Sequence, residues 1–270
     1  MKYQLFISDF DGTLVRADGT VSEKVKRAIA RYTAAGGIFT VCTGRMLSSI
    51  LPRMKELGIT TGYVAAYQGA VIAETATGNI VKFEGFGQAD ALRVVQMLEA
   101  EDRHIHVYTE EGLFCNRRDE WLGVYEKICG VKGEVPEERL SDWLMKKPRR
   151  VVKVLTVEPP DTCDAVQTRF ARRLGEKYFV TRSSDWLVEF LPAGQNKGAA
   201  VEFLKEKFGV PYERTAAIGD MLNDIALLEH AGGKFAVANA AEELKKTATV
   251  VASCEEDGVA EAIEIALRGE

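Results

Sequence analysis

Strand and helix patterns alternate along the first third of this 270-residue chain, break off near residue 85, and resume only after Pro192. An apolar run at 3–8 precedes a helical pattern at 22–35, and a second run at 38–42 precedes another at 48–57. Strands separated by helices return in the same direction, so this rhythm requires a parallel sheet. The first helix opens at Thr20 or Ser22, Thr20 and Glu23 having capping-box spacing, and Gly36-Gly37 can close it in left-handed backbone. Pro52 falls within the second helix and kinks it if it lies beyond the first turn. A strand at 63–67 follows, then a hairpin-like pair at 70–74 and 80–83 about Thr77-Gly78-Asn79.

Between 85 and 191 the pattern becomes a helix at 89–100, alternating strands at 104–109 and 113–116, a polar helical stretch, a strand at 151–157, a helix at 161–174 and two last strands. This is an α+β unit inserted into the first. The alternation then resumes with helices at 197–208, 222–230, 241–246 and from about 257, and strands at 215–218 and 235–237. The expected fold is α/β: a doubly wound, mainly parallel sheet formed by 1–84 and 192–270, interrupted by an α+β domain at 85–191.

Nearly half of the residues are hydrophobic, enough for two modest cores and too many for a disordered chain. The net charge of −5, with basic and acidic residues interleaved, offers no footprint for a nucleic acid backbone, so a small-molecule partner is expected. Cys42, Cys115, Cys129, Cys163 and Cys254 are odd in number and unpaired in spacing, which indicates neither zinc nor a disulfide framework and suits a reducing cytoplasm. The N-terminus reaches acids within a dozen residues, and no segment approaches about 18 unbroken apolar residues, so neither a signal peptide nor a membrane partner is expected.

The chemistry-bearing residues sit where core strands should end. In Asp9-Phe10-Asp11-Gly12-Thr13, extended alternation places two carboxylates on one side of the chain at the C-terminal end of the first strand, where open α/β sheets bind ligands. Such a pair needs a cation or a shared proton, which points to a hard divalent metal; equally, Asp11-Gly12 alone fits an ordinary turn with Asp9 as a cap. Thr43-Gly44-Arg45 presents a hydroxyl and free N–H groups suited to phosphate, Gly219-Asp220 and Asn223-Asp224 add two acids and an amide, and Asn196-Lys197-Gly198 opens a helix. A lysine at a helix start is commonly just solvated, but it can also serve as a point charge on phosphate oxygens.

In order and spacing, Asp9-Phe10-Asp11-Gly12-Thr13-Leu14, Thr43-Gly44-Arg45, Lys197 and Gly219-Asp220-Met221-Leu222-Asn223-Asp224 resemble the four motifs of haloacid dehalogenase (HAD) superfamily phosphatases. The insertion, with Val237-Ala238-Asn239-Ala240 and Asp257-Gly258-Val259-Ala260, is similar to the Cof-type branch and its large α+β cap of type IIB. The resemblance implies a HAD-like Rossmannoid core under a closing cap. It also implies Mg2+-dependent hydrolysis of a small phosphomonoester, such as a sugar phosphate. Asp9 would be the nucleophile that becomes an aspartyl phosphate, and Asp11 the general acid and base. Magnesium would be held by Asp9, the Asp11 backbone carbonyl, Asp220 and Asp224, and phosphoryl oxygens by Thr43, Gly44, Asn223 and Lys197. Arg45, Arg182 and Ser183 are candidate substrate contacts. Tyr67-Gln68-Gly69 departs from the Asn-Gly common in that branch, which leaves the asparagine's substrate contact unassigned.

His104 and His106 share a strand face and could mimic a metal pair, but are expected to be ordinary strand residues. His230 fits a helix C-terminus, Cys42 a buried inert thiol, and Arg149, Arg150, Arg169, Arg172 and Arg173 solvated surface. Two other functions compete with a phosphatase: a sugar phosphomutase, and a non-catalytic sensor of phosphorylated metabolites. A dinucleotide-binding Rossmann enzyme lacks its glycine fingerprint here. A monomer or weak homo-oligomer is expected.

Overall fold

The computed structural model describes residues 1–109 and 111–268, without the side chain of Cys129. The chain forms two compact units, Met1–Lys82 with Asn196–Glu270, and Phe83–Gln195. The first begins β1 (Leu5–Ser8), α1 (Glu23–Ala34), β2 (Ile38–Cys42), α2 (Leu47–Glu56), β3 (Tyr63–Ala66), β4 (Val71–Glu74) and β5 (Ile80–Phe83). The inserted unit runs α3 (Gln88–Glu99), β6 (His104–Thr109), β7 (Leu113–Cys115), α4 (Glu120–Cys129), β8 (Gly133–Glu134), α5 (Leu140–Lys146), β9 (Val151–Val157), α6 (Pro160–Leu174), β10 (Tyr178–Ser184) and β11 (Leu187–Pro192). The first unit resumes with α7 (Lys197–Phe208), β12 (Thr215–Gly219), α8 (Ile225–Glu229), β13 (Gly233–Val237), α9 (Glu242–Lys245), β14 (Thr249–Val251) and α10 (Gly258–Arg268).

Eight strands of the first unit form a sheet in the order β14-β13-β12-β1-β2-β3-β4-β5. Pairing is parallel from β14 through to β3, and antiparallel between β3 and β4. The strand order reverses beside β1, since β2 lies on one side and β12 on the other. A crevice opens at the C-terminal ends of strands at such a switch point. Core strands are buried on both faces: all four residues of β1 and all five of β12 are inaccessible, as the apolar runs demand of a sheet covered by helices.

In the inserted unit the sheet order is β10-β11-β9-β6-β7-β8, antiparallel except between β7 and β8. Ile105, Val107, Val154, Val188 and Phe190 join Leu98 of α3, Leu144 of α5 and Phe170 of α6 in one apolar core. The alternate residues of β6, His104, His106 and Tyr108, point to the opposite face.

Several local expectations change. The α1 cap is Ser22 alone, whose Oγ accepts from Val25 N–H at 3.1 Å, while Thr20 turns away to donate to Asp18. Pro52 lies in the second turn of α2, where it offers no N–H to the Ser48 carbonyl. The pattern at 222–230 divides into a 3₁₀ turn, Leu222–Asp224, and the short α8. The polar stretch of the insertion resolves into α4 and α5, and β8 and β14, two and three residues long, are too short for a readable period. Cys42, Cys115, Cys163 and Cys254 are free thiols; the fifth, Cys129, has its side chain outside the described residues. Among the described residues no helix is long and apolar enough to cross a membrane.

Candidate active site

Three strand ends build the site. Parallel pairing sets Ser8 beside Ile218 and Val41, so the residues following β1, β2 and β12 emerge at one edge of the sheet. Asp9 N–H still donates to Ile218 O at 2.9 Å, holding the first acid in line with the sheet. Then the chain turns: Leu14 and Val15 N–H groups both return to Phe10 O, at 3.0 and 2.8 Å. Gly12 takes φ +75°, and a Cβ there would lie 2.7 Å from Asp220 Oδ2. Only glycine satisfies both the left-handed backbone and that approach.

The turn alters one expectation. The strand stops at Ser8, so its alternation does not carry Asp11 back beside Asp9. The Asp11 side chain is half exposed and takes a bidentate pair from Arg45, whose Nε and Nη2 donate at 2.7 and 2.6 Å. The carboxylates that do gather are Asp9, Asp220 and Asp224, all buried, with ligand oxygens within 4.8 Å of one another.

Lys197 locks this group. Its Nζ donates to Asp9 Oδ1 at 2.5 Å and to Asp224 Oδ1 at 2.6 Å, and it is 1% exposed. The second oxygen of Asp224 accepts from the backbone N–H groups of Asp220 and Met221, both at 3.0 Å. Gly219 permits this, since a Cβ there would meet Asp224 Cβ at 2.5 Å. Asp220 Oδ1 accepts from Thr13 Oγ1 at 2.9 Å. Behind these, Asn239 Nδ2 donates to Gly12 O at 2.8 Å and its Oδ1 accepts from Cys254 N–H, tying the first loop to the C-terminal segment.

One ammonium faces three carboxylates, and the charge states reflect it. Burial raises the Asp9 pKa well above the usual carboxylate value; Lys197 pulls it down, and Asp224 and Asp220 push it back up. Asp220 is pushed up to about 6, by burial and then by Asp224. Burial alone would discharge Lys197, but Asp224 and Asp9 outweigh it and hold the ammonium firmly protonated. A cluster of hard oxygen donors whose negative charge is left in excess suits a divalent cation such as Mg2+.

The phosphate-side candidates lie nearby. Thr43 Oγ1 accepts from Arg45 N–H at 3.2 Å, and Thr43 N–H donates to Ala65 O. A Cβ on Gly44 would lie 2.8 Å from Gln68 Nε2, and Gln68 Oε1 accepts from Asn223 Nδ2 at 3.2 Å. Thr13, Gln68 and Asn239 had been given no separate role by sequence reasoning. Thr13 and Asn239 stand inside quoted motifs and Gln68 inside Tyr67-Gln68-Gly69, but its positive φ of 59° is something spacing does not reveal.

Arg182 and Ser183 belong to the inserted unit. Arg182 pairs with Asp164 and Asp185, and Ser183 Oγ donates to Glu189 Oε1 at 2.7 Å, an oxygen also held by Lys153 at 2.6 Å. Arg149 and Arg150 lie over the rings of Trp143 and Phe83, and Arg169 and Arg173 pair with Glu101. His104 and His106 meet each other through Nε2 atoms 2.8 Å apart, and His230 pairs with Glu202. Cys42 is fully buried, its thiol pushed up to about 12 by desolvation, the opposite of an activated nucleophile.

Comparison with known proteins agrees with this arrangement. Residues 6–263 match the haloacid dehalogenase-like hydrolase family. A Bacillus subtilis protein named "Putative phosphatase YxeH" is 30% identical, with 97% of each chain covered. A second protein of that organism, a 5-amino-6-(5-phospho-D-ribitylamino)uracil phosphatase, is 26% identical over 97% of each. The crystal structure of TM0651 from Thermotoga maritima superposes with a TM-score of 0.84 at 26% identity, covering 97% of each chain. With the motif order, the switch-point sheet and the aspartate cluster in place, this chain belongs to the haloacid dehalogenase-like hydrolases and is a phosphohydrolase of that superfamily with an inserted α+β unit.

Proposed function

We propose that the protein hydrolyses a small phosphorylated metabolite, sugar and polyol phosphates being the expected class, through a phosphorylated Asp9. The observation that carries this is the Lys197 ammonium held between Asp9 and Asp224 in a buried cluster with Asp220. One Asp9 carboxylate oxygen attacks phosphorus as the P–O ester bond breaks, giving an acyl phosphate and the free alcohol. Asp11 exchanges its Arg45 partner for the leaving oxygen, to which it gives a proton. It then takes a proton from water, whose oxygen attacks the acyl phosphate to release inorganic phosphate and restore Asp9. Lys197, Thr43 Oγ1, the Gly44 N–H and Asn223 bind the phosphoryl oxygens. A divalent cation would be held by Asp9, Asp220, Asp224 and the Asp11 carbonyl, and would supply the positive charge that offsets repulsion of the negative attacking group by the negative phosphoryl group. The B. subtilis relative named for a phosphoribityl compound acts on a phosphate ester of a polyol chain, which supports the same substrate class.

The test is release of inorganic phosphate from a panel of sugar phosphates, polyol phosphates and flavin mononucleotide, with magnesium and with chelator. Turnover should require the metal, and Asp9→Asn should lower it by several orders of magnitude while the protein stays folded. Near-normal turnover in that variant would overturn the nucleophile assignment; isomerised sugar without free phosphate would favour a mutase.

A further inference from the structure

Gln68 is a buried polar side chain at this edge whose conformation and partners the phosphoryl chemistry leaves unexplained. It is 1% exposed and occupies left-handed backbone, as does Tyr67 before it at φ 52°. Its N–H donates to Thr43 O at 2.9 Å, which anchors the strained pair to the loop after β2. A non-glycine residue held there is strained, and such strain gathers at functional sites.

Its side chain makes one bond, from Asn223 Nδ2 to Gln68 Oε1. Gln68 Nε2 and Asn223 Oδ1, both buried, have no hydrogen-bonding partner among the described residues. Two amides facing each other use one donor and one acceptor. In either orientation that keeps the bond between them, one N–H2 and one C=O remain. Leaving both unpaired is costly, so the arrangement fits a ligand group that accepts and donates together. A dianionic phosphoryl group only accepts. An alcohol hydroxyl does both. The Gly44 contact places this amide pair directly against the backbone assigned to phosphoryl oxygens, so the hydroxyl must sit close to the ester.

We propose that the Gln68–Asn223 amide pair recognises a hydroxyl on the carbon next to the esterified one, and so selects polyol and sugar phosphates over esters lacking that group. The inference rests on the hydrolytic function proposed above. The hydroxyl oxygen accepts from the free N–H2, and its proton is donated to the free carbonyl.

The experiment compares sn-glycerol 3-phosphate with 3-hydroxypropyl phosphate, which differ by the hydroxyl next to the ester carbon. Wild-type kcat/KM should favour the glycerol ester by about tenfold to a hundredfold. Gln68→Asn tolerates left-handed backbone but withdraws the amide by one methylene, and Gln68→Gly removes it while relieving the strain. In either variant the ratio should fall towards one, and thermal unfolding checks that both are folded. Equal wild-type turnover of the two esters, or an unchanged ratio in both folded variants, overturns this inference and leaves the hydrolytic function standing. A proportional loss on both esters assigns Gln68 to the phosphoryl group instead, and also overturns it. No phosphate release from any ester in the panel, with magnesium present, overturns the hydrolytic function and this inference with it.

Discussion

Gly219 shows how little room the site leaves. The residue ends β12, and its missing side chain lets Asp224 swing beneath the loop to accept two backbone N–H groups and Lys197. A methyl at Gly219 would overlap Asp224 Cγ as well as Cβ, each at 2.5 Å, and a Cβ bonded directly to the backbone cannot swing aside. Gly219→Ala should therefore cost about 1–3 kcal/mol of stability, the usual range for overpacking a full interior. Urea unfolding measures that cost, while phosphate release under saturating magnesium should fall much further than stability does. The reason is that Asp224 fixes Lys197, and an ångström of displacement at a reacting centre can cost about a hundredfold in rate. Full activity in this variant would mean that Asp224 does not set the lysine's position.

At the scale of elements, helix α7 has to present a lysine where electrostatics opposes one. The N-terminus of a helix carries partial positive charge, so Lys197 at its first position is unfavourable until Asp9 and Asp224 surround it. Asn196 steadies the arrangement by accepting from Ala199 N–H at 3.1 Å. Asn196→Ala should cost about 1 kcal/mol, read by urea unfolding, and should lower kcat more than it raises KM, because the frayed first turn carries the charge that faces the phosphoryl group. Much of this was legible beforehand: apolar runs located β1, β2 and β12, and the acids directly after them marked the crevice. The position of the Asp11 side chain was not, because strand alternation cannot foresee a turn that brings two N–H groups back to Phe10 O. The Gln68–Asn223 pair was hidden too, since it depends on left-handed backbone and on segments 155 residues apart. Strand β14 was missed for a simpler reason: three residues at a sheet edge, two of them exposed, show no period.

Over the whole molecule, the two units carry buried titrating groups of opposite sign. In the first unit the Asp220 pKa is raised, so the folded state holds its proton to higher pH than the unfolded chain does. That contribution is full below the ordinary aspartate value and is lost as pH rises through about 6. Magnesium should restore it, because a ligand of the folded state stabilises by mass action. In the inserted unit, His104 Nδ1 lies 2.9 Å from Asp119 Oδ2 and its Nε2 meets His106, whose Nδ1 is buried without a partner among the described residues. Burial lowers the pKa of both; Asp119 partly restores that of His104, while His104 and Lys153 depress that of His106 further. The pair folds neutral, yet the unfolded chain takes up protons near the ordinary value of 6.5. Its contribution is therefore complete above that pH and is lost as pH falls, by at most about 1.4 kcal/mol per pH unit for each histidine. Trp121, Trp143 and Trp186, the chain's three tryptophans, all lie in the inserted unit and report on it alone. The urea midpoint read by their fluorescence should drop between about pH 7.5 and about pH 5.5, and His106→Phe should roughly halve that slope by removing one of the two sites. A wild-type midpoint that stays flat across this window would mean that the histidine pair holds a proton when folded.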